Sequence, residues 1–197
     1  MPDTLMSALE HWEQRWVDLG VDTRPLRPGL PAAQISEQLA AVGIPPHPAL
    51  IDWFSWHDGS DDLAFQALAC PMGPITLDRA LNVRVAYMEP AHPDDTIGFE
   101  PTWCPILGGL STDTIALDGI TGELFRIDAW NAEDSVRSTG AQLRDAISVW
   151  HEVLNETEVQ RAPSGLNIVT LPPHRRQSPC CRPSRKSFDS ARVTGDR

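Results

Sequence analysis

Between residues 57 and 62 the chain reads His57-Asp58-Gly59-Ser60-Asp61-Asp62, three carboxylates and an imidazole in one short run. A metal site needs its ligands to converge at about 2.0–2.6 Å, and calcium loops place their oxygens at alternate positions before a glycine. Asp58, Asp61 and Asp62 do not follow that D-x-D-x-D-G spacing, so no metal ligands are assigned. The plain alternative is a helix end followed by a solvated acidic turn. A third use is an acidic lip that meets a basic protein. The segment His92-Pro93-Asp94-Asp95 repeats the combination. If the two runs share a face, their carboxylates form one larger negative patch. Beside the first run stands Trp56, one of two tryptophans, with Trp130, open to exposure. An exposed indole next to carboxylates is a suitable binding anchor. The candidate partner-contact set is therefore Trp56, Asp58, Asp61, Asp62, Asp94 and Asp95.

Covalent chemistry finds less support. Cys70 and Cys104 have no nearby histidine or basic residue in sequence, and there is no G-x-S-x-G elbow. Triad partners can be far apart in sequence, so a small hydrolase or metal-dependent enzyme using His57 or His92 with neighbouring aspartates stays open as an alternative. No Walker or G-x-G-x-x-G segment exists to cradle phosphate. Lysine occurs once, at Lys186, which removes Schiff-base chemistry from the folded body. No catalytic residue and no cofactor is assigned.

Charge is unevenly distributed. The chain of 197 residues carries a net −11, yet residues 172–197 hold seven basic residues against two acidic ones. Residues 1–171 keep nine basic and 25 acidic residues, a body at −16. Such a body repels nucleic-acid phosphates and steers basic proteins toward itself, although acidity also serves solubility alone. The tail beyond Pro172 lacks periodicity and is rich in Arg, Ser and Pro, so it reads as disordered. The division is one domain over 1–171 and a basic tail over 172–197. Of the four cysteines, Cys180 and Cys181 fall in the tail, while Cys70 and Cys104 sit among apolar residues and read as reduced core thiols. The N-terminus lacks a signal-peptide pattern, and no apolar run reaches the roughly 18 residues of a membrane span. A cytoplasmic protein is expected.

The elements that position these residues come from periodicity. Leu5, Leu9, Trp12, Trp16 and Leu19 line one face of a helix stopping at Gly20. Residues 21–31 are a stiff, proline-rich connection. A second helix over Ala32–Val42 carries Ile35 and Leu39, and a third, from Pro48 to His57, carries Leu50, Trp53 and Phe54. That third helix ends in Asp58-Gly59, where glycine can take the left-handed position. Leu63–Leu68 alternates as a strand, residues 71–75 read as a turn, and Thr76 caps a helix whose face is Leu77, Leu81, Val85 and Met88. Thr114–Leu117 and Glu123–Ile127 flank a turn with two glycines, the signature of a β-hairpin. Pro105 suits an edge or a strand start. Thr139 stands three before Gln142, a capping box opening a final helix with Leu143, Ile147, Trp150 and Leu154 on one face. Residues 165–171 can add a short strand. Elements clustered in this way imply an α+β domain with a mainly antiparallel sheet of about four to six strands packed by helices.

The order of landmarks resembles the SMI1/KNR4 (SUKH) superfamily. The resemblance rests on LIDWFSWHDG at 50–59, GPITLDRALNV at 73–83, Trp103-Cys104-Pro105-Ile106 entering a strand, TIALD at 114–118, the turn at Gly122, the strand ELFRI, and a terminal helix near Trp150. It covers about 30–155. Where family members often carry a Gly-Asp-like pair between the two strands, this chain has Gly108-Gly109-Leu110-Ser111-Thr112-Asp113. The resemblance implies a helix-packed sheet and a protein-binding role, commonly that of a bacterial immunity protein neutralising a polymorphic toxin such as a nuclease or deaminase. A regulatory adaptor without a toxin is the remaining alternative. The resemblance supplies no catalytic residues.

Overall fold

The computed structural model describes residues 4–61, 72–89, 98–108, 113–128 and 135–156, together with the backbone of 158–161 and 167–170. Helix α1 (Leu5–Asp18) starts where the Thr4 hydroxyl accepts the Ser7 N–H at 3.1 Å, and it buries Ala8, Leu9, Trp12 and Trp16. A short strand β1 (Leu26–Pro28) follows, then α2 (Ala32–Ala41), burying Ile35 and Leu39. Helix α3 (Pro48–Trp56) opens on Pro48, where a missing N–H is harmless, and the His47 ring accepts the Ala49 N–H at 3.2 Å. Strand β2 (His57–Ser60) pairs antiparallel with β1.

The main sheet is an antiparallel meander in the order β3 (Gly73–Pro74), β4 (Trp103–Gly108), β5 (Asp113–Asp118), β6 (Glu123–Asp128), β7 (Val136–Gln142). Helix α4 (Leu77–Met88) lies between β3 and β4, and α5 (Leu143–Asn155) follows β7. Strands β8 (Glu158–Arg161) and β9 (Asn167–Thr170) pair with each other, so the strand expected within 165–171 is present. The architecture is α+β, with helices on an antiparallel sheet.

Alternation divides the sheet's residues between two faces. Cys104, Ile106, Ile115, Leu117 and Leu124 join one core with the apolar faces of the helices. On the other face Trp103, Ala116 and Ile127 are buried against Tyr87, Phe99, Phe125 and Val136, with the Trp103 and Phe125 rings stacked at 4.1 Å. Pro105 stands where the β4–β5 register slips, a bulge that needs no ladder N–H there.

Several local expectations are corrected. Residues Gly73–Pro74 are a paired strand and not a turn, with Gly73 opposite Gly108. Helix α4 turns a different face inward: Leu77, Ala80 and Arg84 are buried, while Val85 and Met88 are exposed. Arg84 takes the inner position because its guanidinium donates to the Val42 carbonyl at 3.1 Å and the Pro101 carbonyl at 2.9 Å, tying three segments together. Thr139 caps no helix. It lies in β7, where its hydroxyl donates to the Leu124 carbonyl at 2.8 Å, and α5 begins after Gln142 without a side-chain cap. The strand expected over Leu63–Leu68, and with it Cys70, lies outside the described residues.

Candidate functional site

Helix α3 stops at Trp56 because His57 turns extended, with φ −147° and ψ 137°, while its N–H still donates to the Trp53 carbonyl. Gly59 does adopt a left-handed φ of +69°, but inside β2 and not at a helix end. A Cβ at this position would sit 2.3 Å from the Ile75 carbonyl carbon and the Thr76 nitrogen, so only glycine fits against the strand-to-helix turn leading into α4.

Trp56 is buried, 7% exposed, and its ring lies among Trp12, Trp16 and Trp53. Its indole N–H donates to Glu13 Oε2 at 3.0 Å. His57 Nε2 meets the same oxygen at 3.0 Å, and Nδ1 meets the Arg27 carbonyl at 2.8 Å. Both ring nitrogens are thus engaged by oxygens of the fold. Neither ring nitrogen is left to take a proton from a substrate. The contact instead fastens α1 to β1 and β2.

Asp58 is equally internal, at 6% exposure. Its Oδ1 accepts the Leu77 N–H at 2.8 Å, satisfying an orphan donor at the start of α4 and placing negative charge at the positive end of that helix. Its Oδ2 lies 3.8 Å from Arg27 Nε, and Asp61 lies 3.7 Å from the same nitrogen. Among the described candidates, only Asp61, 78% exposed at the side chain, faces solvent as an acidic lip requires. The expectation that Trp56 and Asp58 present themselves to a partner is therefore corrected: the indole layer and the α4 terminus have taken them inside. Asp62, Asp94 and Asp95, along with His92, lie outside the described residues.

Sequence spacing gave no hint of Glu13, which acts 43 and 44 residues away from the groups it binds. Cys104 is fully buried and free, and burial pushes its thiol up to about 12 with Arg84 opposing, so it is no nucleophile at neutral pH. Among the described residues, no three His, Cys, Asp or Glu side chains converge to hold a metal ion. No described helix is long and apolar enough to cross a membrane.

The surface is shaped by where the cations go. Arg15 donates to the Leu154 carbonyl, Arg24 pairs with Asp22, and Arg27 lies between Asp58 and Asp61. Arg84 is buried on carbonyls, and Arg126 pairs with Asp113 at 2.9 Å. Glu10, Glu37, Glu89, Glu100 and Asp145 stand exposed, as do Arg137 and Arg144. Compared with known protein families and with curated proteins, the chain matches none.

Proposed function

We propose that this chain is a non-catalytic, intracellular protein-binding domain of the SMI1/KNR4 kind, acting as an immunity protein whose acidic surface occupies the basic cleft of a toxin such as a nuclease or deaminase. The observation that carries this reading is the acidic balance of residues 1–171, 25 carboxylates against nine basic residues, with Glu10, Glu37, Glu89, Glu100 and Asp145 exposed and several guanidinium groups, among them Arg84 and Arg126, engaged on carbonyls and carboxylates of the fold. A cleft that must hold phosphates is basic, and a carboxylate-rich surface suits it sterically and electrostatically. The engagement of both His57 nitrogens and the depth of Cys104 support binding over catalysis.

The corrected positions change which residues belong to the binding set. Asp61 stays in it, as do Asp62, Asp94 and Asp95 by their sequence; Asp58 and Trp56 leave it for structural roles. The test is purification of the full chain with its bound partner, followed by association kinetics against salt. Wild type is expected to associate quickly at low salt and progressively more slowly as salt is added. The combined variant Asp61→Asn, Asp62→Asn, Asp94→Asn and Asp95→Asn is expected to associate more slowly and to show a flatter salt dependence. Identical kinetics for the two proteins at every salt concentration would remove this surface as the binding site.

A further inference from the structure

Helices α1 and α5 lie side by side, and at their seam the rings of His11 and His151 stack with centroids 4.5 Å apart and planes inclined by 27°. One turn along α1, Arg15 sends Nη2 toward the Leu154 carbonyl at 3.4 Å, and its buried Nε has no hydrogen-bond acceptor. The Asn155 amide lies 3.3 Å from His151 Nδ1. The charged groups that act on His151 are thus His11 and Arg15 from α1 and Glu152 from its own helix. Burial, then His11 and Arg15, hold the His151 imidazole below its ordinary range, with Glu152 opposing.

The crowding disfavours a proton on His151. Two imidazolium rings at such a separation, beside a guanidinium, repel one another. What α1 covers gives the repulsion a consequence, because Trp12 packs on Trp53, Trp56 and Trp150 at centroid distances of 6.5, 5.9 and 5.4 Å.

We propose that the His11–His151 stack is an acid-operated latch on α1: a proton placed on His151, against His11 and Arg15, drives the helix from α5 and uncovers the indoles of Trp53, Trp56 and Trp150. The direction follows from linkage. A base that the fold keeps neutral binds fewer protons docked than undocked, so docking is complete above the ordinary imidazole value of about 6.5 and weakens as pH falls through the lowered one. On its other side α1 is held by the 3.0 Å contact between Glu13 Oε2 and His57 Nε2.

Hydrogen exchange of the full chain, resolved by peptide and corrected for intrinsic rates, tests the latch. Between about pH 7.5 and about pH 5, opening of α1 relative to the β4–β6 peptides is expected to rise as pH falls, in the direction that a lowered His151 requires. His151→Gln should abolish the rise, His11→Gln should reduce it, His11→Glu should reduce it further, and His47→Gln should leave it intact. His11 is exposed, so its variants retain the fold. An α1 opening indifferent to pH, an undiminished rise in both glutamine variants, or a rise shared equally by the sheet overturns the proposal.

Discussion

Asp118 shows how one side chain can close a hairpin. At the end of β5 it accepts the Thr102 hydroxyl at 2.8 Å, the Thr121 hydroxyl at 2.7 Å, and the N–H groups of Ile120 and Thr121 at 3.1 and 3.4 Å. Burial raises its carboxyl, but the donors from Thr121, Ile120 and Thr102 outweigh it and leave the group below the ordinary carboxylate range. A carboxyl depressed in the folded state contributes stability that is present above its unfolded value, about 3.9, and is lost as pH falls through the folded one. Replacing it by alanine leaves the hairpin donors unanswered and should cost about 2 kcal/mol at neutral pH. Urea unfolding of wild type and Asp118→Ala at neutral and acid pH checks this, with the difference narrowing on the acid side. The sequence marked the turn by its two glycines, but only Gly122 has a positive φ, of +73°. Gly119 is required for a different reason, since a Cβ would come within 2.6 Å of the Pro45 carbonyl oxygen. A contact with a residue 74 positions earlier leaves no mark on local pattern.

At the scale of elements, helices with wide apolar stripes, the β5–β6 hairpin and β9 are legible, and the strands without alternation are not. The faces read for α1 and α5 are the faces that are buried, because Trp12, Trp16, Ile147 and Trp150 recur at helical spacing over three or more turns. Helix α4 was misread because a buried arginine violates the rule by which charge marks the outer face. Strands β3 and β7 carry Gly, Pro, Ser and Gln and have no alternation; their existence is decided by the neighbouring strand and not by propensity. The candidate site was half legible for the same reason. The cluster His57-Asp58 was found, but its inward use depends on Glu13 and Leu77 from other elements. Gly59 links α3, β2 and α4 at one point, so Gly59→Ala should cost about 3 kcal/mol or more through left-handed strain and the clash with Ile75. A thermal melt is the check, with Gly20→Ala, where φ is +77° but a Cβ meets nothing within 4 Å, expected to lose less.

For the molecule as a whole, the basic excess and the described core fall in different stretches of sequence. Among the described residues the main core runs from Ala8 to Leu154, and the last 26 positions carry the basic excess. A chain ending at Leu171 should therefore keep the unfolding midpoint of the full protein while its net charge goes from −11 to −16. Calorimetry and native electrophoresis of the two forms measure both quantities. At low salt the shorter form should also capture a basic partner faster, because a larger field of one sign raises encounter rates.

The grouping of Trp12, Trp16, Trp53, Trp56 and Trp150 makes the protein's own ultraviolet signal local rather than global. Indoles in van der Waals range exchange excitation energy, so emission and near-ultraviolet dichroism will chiefly register how the first helix sits. Trp103 stands apart from that group, opposite Asp118 in the β4–β5 ladder and stacked on Phe125, so its share of the signal follows the hairpin end instead. A label placed at Ile120 would separate the two contributions.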